Sequence, residues 1–221
     1  KILTLSPEEL AHGIVTSSSG NHAQACAYAG QLLGTKATVI VPDNTPHLKV
    51  SNARRMGANV ILWERTYAKR WEKVRQEVAE HGYTIVHAFE DYTVMAGQGT
   101  IALEIMEDLP DVETVVVPIG GGGLISGIST AIKESNPKIR VVGVEPANPD
   151  GFLASRNAGH RIRIQSKPTI ADGITCSEPS ERPYEIVERY VDEIVAVEEN
   201  DIREAVRQIA REAHLVAEPT S

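Results

Sequence analysis

Cysteine is nearly missing from this chain. Cys26 and Cys176 are the only two in 221 residues. They form no CxxC pair, and no Cys/His cluster stands at metal-ligand spacing, so neither a disulfide framework nor a structural zinc centre is expected. A reducing compartment fits that usage, and the cytoplasm is the expected location. A basic surplus is missing too. The chain has 22 Lys and Arg against 30 Asp and Glu, a formal charge of −8, which argues against a nucleic acid held through a broad basic surface. No apolar run reaches membrane-spanning length, and the opening Lys1–Ile2–Leu3–Thr4–Leu5–Ser6–Pro7 carries no signal-peptide pattern, so no membrane partner is expected. Fixed-period repeats and low-complexity linkers are also absent.

What is present is an alternation. Short β-branched runs, such as Thr38–Val39–Ile40–Val41 and Val115–Val116–Val117, are separated by segments of helical periodicity. Strands are expected at 13–17, 38–41, 59–62, 84–87, 114–118, 140–145 and 193–197. Helices are expected at 22–33, 47–56, 67–81, 94–109, from the end of the tetraglycine at 120–123 to about 135, 184–190 and 199–214, with a short capped one ending near His12. In the segment 67–81, Trp71, Val74 and Val78 recur at helical spacing; in the next, Ile101, Ile105 and Met106 are available for a buried stripe. Residues 147–183 are the least periodic and are expected to wrap over the surface. Near-continuous apolar strands alternating with helices mean parallel sheet, hence an α/β fold, with a boundary between two units near 91–95.

Two junctions stand out. After Val115–Val116–Val117–Pro118–Ile119 come Gly120, Gly121, Gly122 and Gly123, then Leu124–Ile125–Ser126–Gly127. Glycines between a strand and a helix start let main-chain N–H groups approach an anion where the helix dipole favours negative charge. A permissive turn explains one or two glycines, and four in a row poorly. A dinucleotide site fails on spacing, because GxGxxG would need glycine at Ser126 or at Ile125, although Glu145 stands about where a ribose-binding acid would. The second junction, Ser17–Ser18–Ser19–Gly20–Asn21–His22–Ala23–Gln24, converges N–H and O–H donors on one point and suits a carboxylate. Taken alone, it is equally an N-cap with a flexible lead-in.

Ser18–Ser19–Gly20–Asn21–His22–Ala23–Gln24 together with Gly120–Gly121–Gly122–Gly123–Leu124 closely resembles the fold-type II pyridoxal 5′-phosphate enzymes, in the branch of threonine/serine dehydratases and serine racemase. Ala96–Gly97–Gln98–Gly99–Thr100, Gly143–Val144–Glu145–Pro146, Thr169–Ile170–Ala171–Asp172–Gly173 and Glu218–Pro219–Thr220 follow in the family's order. The resemblance implies three-layer sandwiches with mostly parallel sheets in two α/β units. Residues 13–91 would form the small domain, and 1–12 with 92–221 part of the large cofactor-binding domain. It implies that Gly120, Gly121, Gly122, Gly123 and Leu124 bind the cofactor phosphate and that Asn21 donates to the cofactor's 3′ oxygen. Ser18, Ser19, Gly20, Asn21 and His22 would hold the substrate α-carboxylate, with Ser19 a candidate acid/base.

The implied activity is dehydration of L-threonine or L-serine to a 2-oxo acid and ammonia, with serine racemisation as a companion reaction, by an enzyme expected to be a homo-oligomer at full length. The sequence departs from the family at several points. The lysine that bears the cofactor lies, in the family, in a Ser-Phe-Lys type motif ahead of the serine-rich loop. That motif is missing here, and both ends read as incomplete. A non-catalytic phosphate- or cofactor-binding module is therefore the alternative. Several members also hold a divalent cation, which here would be Mg²⁺ or Ca²⁺ on Glu145 with Asp150, since Gly151 occupies the sixth position after Glu145. Met56 and Phe89 replace the polar or aromatic nucleotide contacts of the racemase.

Overall fold

A computed structural model describes residues 1–148, 150–165 and 167–221, which form two compact units, Lys1–Asp91 and Tyr92–Ser221. Residues 1–12, assigned above to the larger domain, group with the first unit. Helix α1 (Pro7–His12) starts on a capping box between Ser6 and Glu9. Its last turn is then tied down locally: Thr35 Oγ1 donates to Leu10 O at 2.6 Å, and the His12 ring lies against Gly82.

The first unit is built on a four-stranded parallel sheet of β1 (Ile14–Ser17), β2 (Ala37–Pro42), β3 (Asn59–Trp63) and β4 (Thr84–Ile85), in the order β3-β2-β1-β4. Both faces are covered, and β2 shows how. Val39 and Val41 pack with Ala23 and Ala27 of α2 (Asn21–Leu33) and Val50 and Ala53 of α3 (His47–Arg55). Ile40, pointing the other way, packs with Val15 and with Val74 of α4 (Tyr67–His81). Period-two alternation in the strand thus produces three layers. The expected α4 stripe is in place, with Val74 fully buried and Trp71 and Val78 against the same cluster.

The second unit has β5 (Thr114–Pro118), β6 (Arg140–Pro146) and β7 (Glu193–Val197) as a parallel sheet in that order. One face carries the core: Val115, Val117 and Val141 meet Ile125, Ile128 and Ile132 of α6 (Gly123–Ser135). Helices α5 (Tyr92–Asp108), α7 (Gly151–Ala158) and α8 (Glu181–Tyr190) add Ala102, Phe152 and Val187. Against the other face lies α9 (Glu199–Gln208), leaving a groove of about 350 Å³ that includes Val116, Val144, Val197, Ile202 and Val206. Among the described residues, no helix is long and apolar enough to cross a membrane.

Three expectations are corrected here. Of the expected α5 stripe, Ile105 and Met106 pack against the core, but Ile101 is 39% exposed and the fully buried residues are Met95, Gly99 and Ala102. The cause is a close helix crossing. A methyl on Gly127 of α6 would lie 2.1 Å from Met95 O and one on Gly99 would lie 3.0 Å from Gly127 O, so α5 turns its smallest residues inward. Residues 147–183 also do more than wrap the surface, since they contain α7 with Phe152 completely buried. Eight residues are too few to display a helical period in sequence. The segment expected as helix to His214 is α-helical only to Gln208 and continues as a π-helical turn, Ile209–Ala213.

Candidate active site

The loop after β5 presents unpaired donors. Ile119 N donates to Val144 O, and Ser126 N to Gly122 O. Among the described residues, the N–H groups of Gly120, Gly121, Gly122, Gly123 and Leu124 donate to no acceptor in the chain. Gly122 is the N-cap of α6 at φ +85°, and no side chain caps that helix. Glycine is needed for space as well. A methyl on Gly120 would lie 2.8 Å from Ile174 Cα, and one on Gly122 would lie 2.5 Å from Phe152 Cζ and 2.7 Å from Pro183 Cβ. Five unpaired amides at an uncapped helix start make an anion cradle. Ile174, the residue after the singled-out Thr169–Gly173 segment, covers Gly120, and Gly173 itself packs on Thr220.

In the first unit the chain runs outward from β1 to β2 to β3, then returns to place β4 on the other side of β1. The C-terminal end of β1 is therefore a topological switch point, where open parallel sheets bind ligands. Ser18, Ser19, Gly20, Asn21 and His22 occupy it. Gly20 N donates to Ser18 Oγ at 3.3 Å, Gly20 caps α2 without a side-chain bond, and the amides of His22 and Ala23 have no acceptor among the described residues. The His22 ring is engaged elsewhere, its Nε2 donating to Val86 O at 2.9 Å, which pins α2 to the segment after β4. Cys26, one turn on, is buried and its thiol is pushed up to about 12 by desolvation, so it remains neutral.

Arg70 joins the site without having been singled out by any motif. From α4 its Nε donates to Ser17 Oγ at 3.2 Å, and a terminal nitrogen donates to Arg65 O. The guanidinium is half-buried and has no ion-pair partner among the described residues, which leaves a positive charge beside the serine-rich loop. The sequence signal is faint, one Arg on the helix that also carries Trp71.

A family model described as pyridoxal-phosphate dependent enzyme matches residues 2–221. The chain belongs to this family. It is similar to an L-threonine ammonia-lyase of Thermotoga maritima, at 47% identity over 218 residues, 99% of this chain and 54% of that protein. A catabolic L-threonine dehydratase of Staphylococcus aureus is 41% identical, over 99% of this chain and 63% of that one. Among solved structures, maize serine racemase superposes with a TM-score of 0.95 at 35% identity, over 99% of this chain and 66% of the other. The processed form of threonine deaminase isoform 2 from Solanum lycopersicum gives 0.93 at 33% identity, over 99% and 64%. These place the chain in the fold-type II, threonine/serine dehydratase branch of the pyridoxal-phosphate dependent enzymes. It spans about half to two-thirds of the length of the curated relatives it matches.

The residues of this pyridoxal-phosphate dependent enzyme fit its cofactor at the tetraglycine loop, where unpaired amides suit a phosphate. They do not fit a cation at Glu145 and Asp150, which corrects the expectation of Mg²⁺ or Ca²⁺ there. Glu145 is 1% exposed. Its Oε1 accepts from Phe152 N at 3.1 Å and its Oε2 from Leu153 N at 2.9 Å, so both oxygens are used by the first turn of α7. Burial pushes this carboxyl up to about 7, against the pull of those two amides. The same arrangement removes Glu145 as a ribose ligand. Among the described residues, the one group of three clustered acidic or imidazole ligand atoms is Glu77, Glu80 and His81 on α4.

Burial also holds the His22 imidazole below its ordinary range, partly offset by the bond to Val86 O. The unfolded chain then binds the proton more readily than the folded one. Stability from this residue is complete above the ordinary imidazole range and is lost as pH falls through the depressed value. Urea unfolding between about pH 8 and about pH 5 is expected to show a smaller loss in His22→Gln than in the unsubstituted protein. Equal losses would mean that His22 is not held neutral.

Proposed function

We propose that this chain is the cofactor- and substrate-binding part of an ammonia-lyase acting on L-threonine or L-serine, working as a homo-oligomer in the cytoplasm. The observation that carries the reading is the set of five unpaired amides from Gly120 to Leu124 at the start of α6. Gly120, Gly121, Gly122, Gly123 and Leu124 would hold the phosphate of pyridoxal phosphate, and Asn21 would donate to its 3′ oxygen. When bound, the cofactor supplies an electron sink that lets the α-hydrogen of an amino acid leave as a proton.

The chain's own residues then bind and orient. The Ser18–His22 loop would receive the substrate α-carboxylate at the start of α2, where the His22 amide has no acceptor among the described residues, with the Arg70 charge nearby strengthening that preference. Ser19 has a hydroxyl with no partner among the described residues, and is the candidate acid/base for exchanging the α-proton on one face. Dehydration removes the α-proton and the β-hydroxyl as water; hydrolysis of the resulting enamine then gives ammonia and the 2-oxo acid. Racemisation needs a proton returned on the opposite face, which would be the task of Ser19.

The test is to supply the protein at its natural length, loaded with cofactor, with L-threonine and L-serine. The expected result is 2-oxo acid and ammonia in equal amounts. With L-serine, any D-isomer should disappear in Ser19→Ala while oxo acid persists. Neither oxo acid nor D-isomer from either substrate would refute the reading in favour of a non-catalytic module.

A further inference from the structure

Glu145 is a buried carboxylate with both oxygens committed to main-chain donors. Its partners, Phe152 N and Leu153 N, belong to the first turn of α7, where a helix presents about half a positive charge. A cation at Glu145 would have to compete with those donors. The position that would supply a second acid, six residues on, is Gly151, and a methyl there would lie 2.5 Å from Cys176 O. Any side chain at that position must displace main chain. The neighbouring Asp150 is the N-cap residue of α7 and makes no side-chain cap.

α7 also shapes the cradle. Phe152, the next residue after Gly151, is completely buried, and its ring edge occupies the space that a methyl on Gly122 would need. Gly122 is the N-cap of α6 and lies within the tetraglycine loop. A continuous chain of contacts therefore runs from the Glu145 carboxylate, through the α7 amides and the Phe152 ring, to the main chain of the anion cradle.

We infer that Glu145 is a positioning residue that replaces a divalent cation: by clamping the first turn of α7 it braces Phe152 against Gly122 and keeps the phosphate cradle in shape without a metal. This rests on the cofactor reading of the tetraglycine loop. In this arrangement the helix start supplies the positive end that a cation would otherwise provide. Glu145→Gln retains one acceptor oxygen but presents an NH₂ group to the second amide, which loosens the clamp while keeping side-chain volume.

The experiment measures pyridoxal phosphate affinity and thermal midpoint for the protein at its natural length, in EDTA and then with Mg²⁺ or Ca²⁺. The unsubstituted protein is expected to bind cofactor equally in all three, with an unchanged midpoint. Glu145→Gln and Phe152→Leu should each weaken cofactor binding about tenfold. The double variant should lose little more than the worse single one, because both act through the same contact chain. A saturable gain in affinity or midpoint with either cation, reversed by EDTA, would overturn the inference, as would fully additive losses. Should the variants not fold, the comparison of EDTA with added cation in the unsubstituted protein still decides it. Failure of the unsubstituted protein to bind cofactor under any condition would instead remove the reading on which it rests.

Discussion

Gly122→Ala is expected to weaken pyridoxal phosphate binding by roughly 10- to 100-fold and to lower the unfolding free energy by about 2–5 kcal/mol. Two physical terms add. At φ +85° an L side chain is strained by about 1–2 kcal/mol. The new methyl would also meet Phe152 Cζ at 2.5 Å and Pro183 Cβ at 2.7 Å, and relieving such overpacking in a filled core costs about 1–3 kcal/mol. Relief requires Phe152 or the loop itself to move, and either motion misdirects the amides. Gly97→Ala is the matched control, since a methyl at that exposed site in α5 meets nothing within 4 Å. Its effect on stability should be small and favourable, as for alanine replacing glycine inside a helix. Equal cofactor affinity in Gly122→Ala and the unsubstituted protein, measured by fluorescence titration, would mean that the loop does not bind the phosphate.

Some of this architecture follows directly from residue patterns. The strands are readable because parallel strands covered on both faces become uninterrupted apolar runs, as at 38–41. The four-glycine junction is readable because few alternatives explain so many consecutive residues without side chains. α7 is not readable, because its start is fixed by Glu145, which lies on a different element, and its one large core residue, Phe152, has few apolar neighbours in sequence. Ile101 is misplaced for a related reason. An apolar period predicts the buried face only when side-chain bulk does the packing, whereas α5 meets α6 through Gly99 and Gly127.

The site divides in the same way. Residues proposed to act through the main chain, Gly120 to Leu124, are picked out by position because such a role needs no side chain. Side-chain roles are harder to assign. His22 stands in sequence where a carboxylate ligand would, yet its ring is bonded to Val86 O, and only its amide remains for that task. Glu145 stands where a metal ligand would, but its two oxygens serve α7. Arg70 lies 53 positions from Ser17, a distance that only the folded sheet closes.

The second large effect is discrimination between pyridoxal phosphate and pyridoxal, which differ by the phosphate alone. Hydrogen bonds to a charged group contribute about 1.5–3 kcal/mol each. These contributions do not add fully, so the unpaired amides and the α6 dipole should favour the phosphorylated form by about 3–4 kcal/mol, or roughly 100- to 1000-fold. The decisive measurement is a titration of the cofactor-free protein, at its natural length, with each compound under the same conditions. Binding of pyridoxal phosphate at least about 100-fold tighter, with inorganic phosphate restoring part of the lost affinity for pyridoxal, is the predicted result. Equal affinities for the two compounds would contradict the assignment of the tetraglycine loop as the phosphate site.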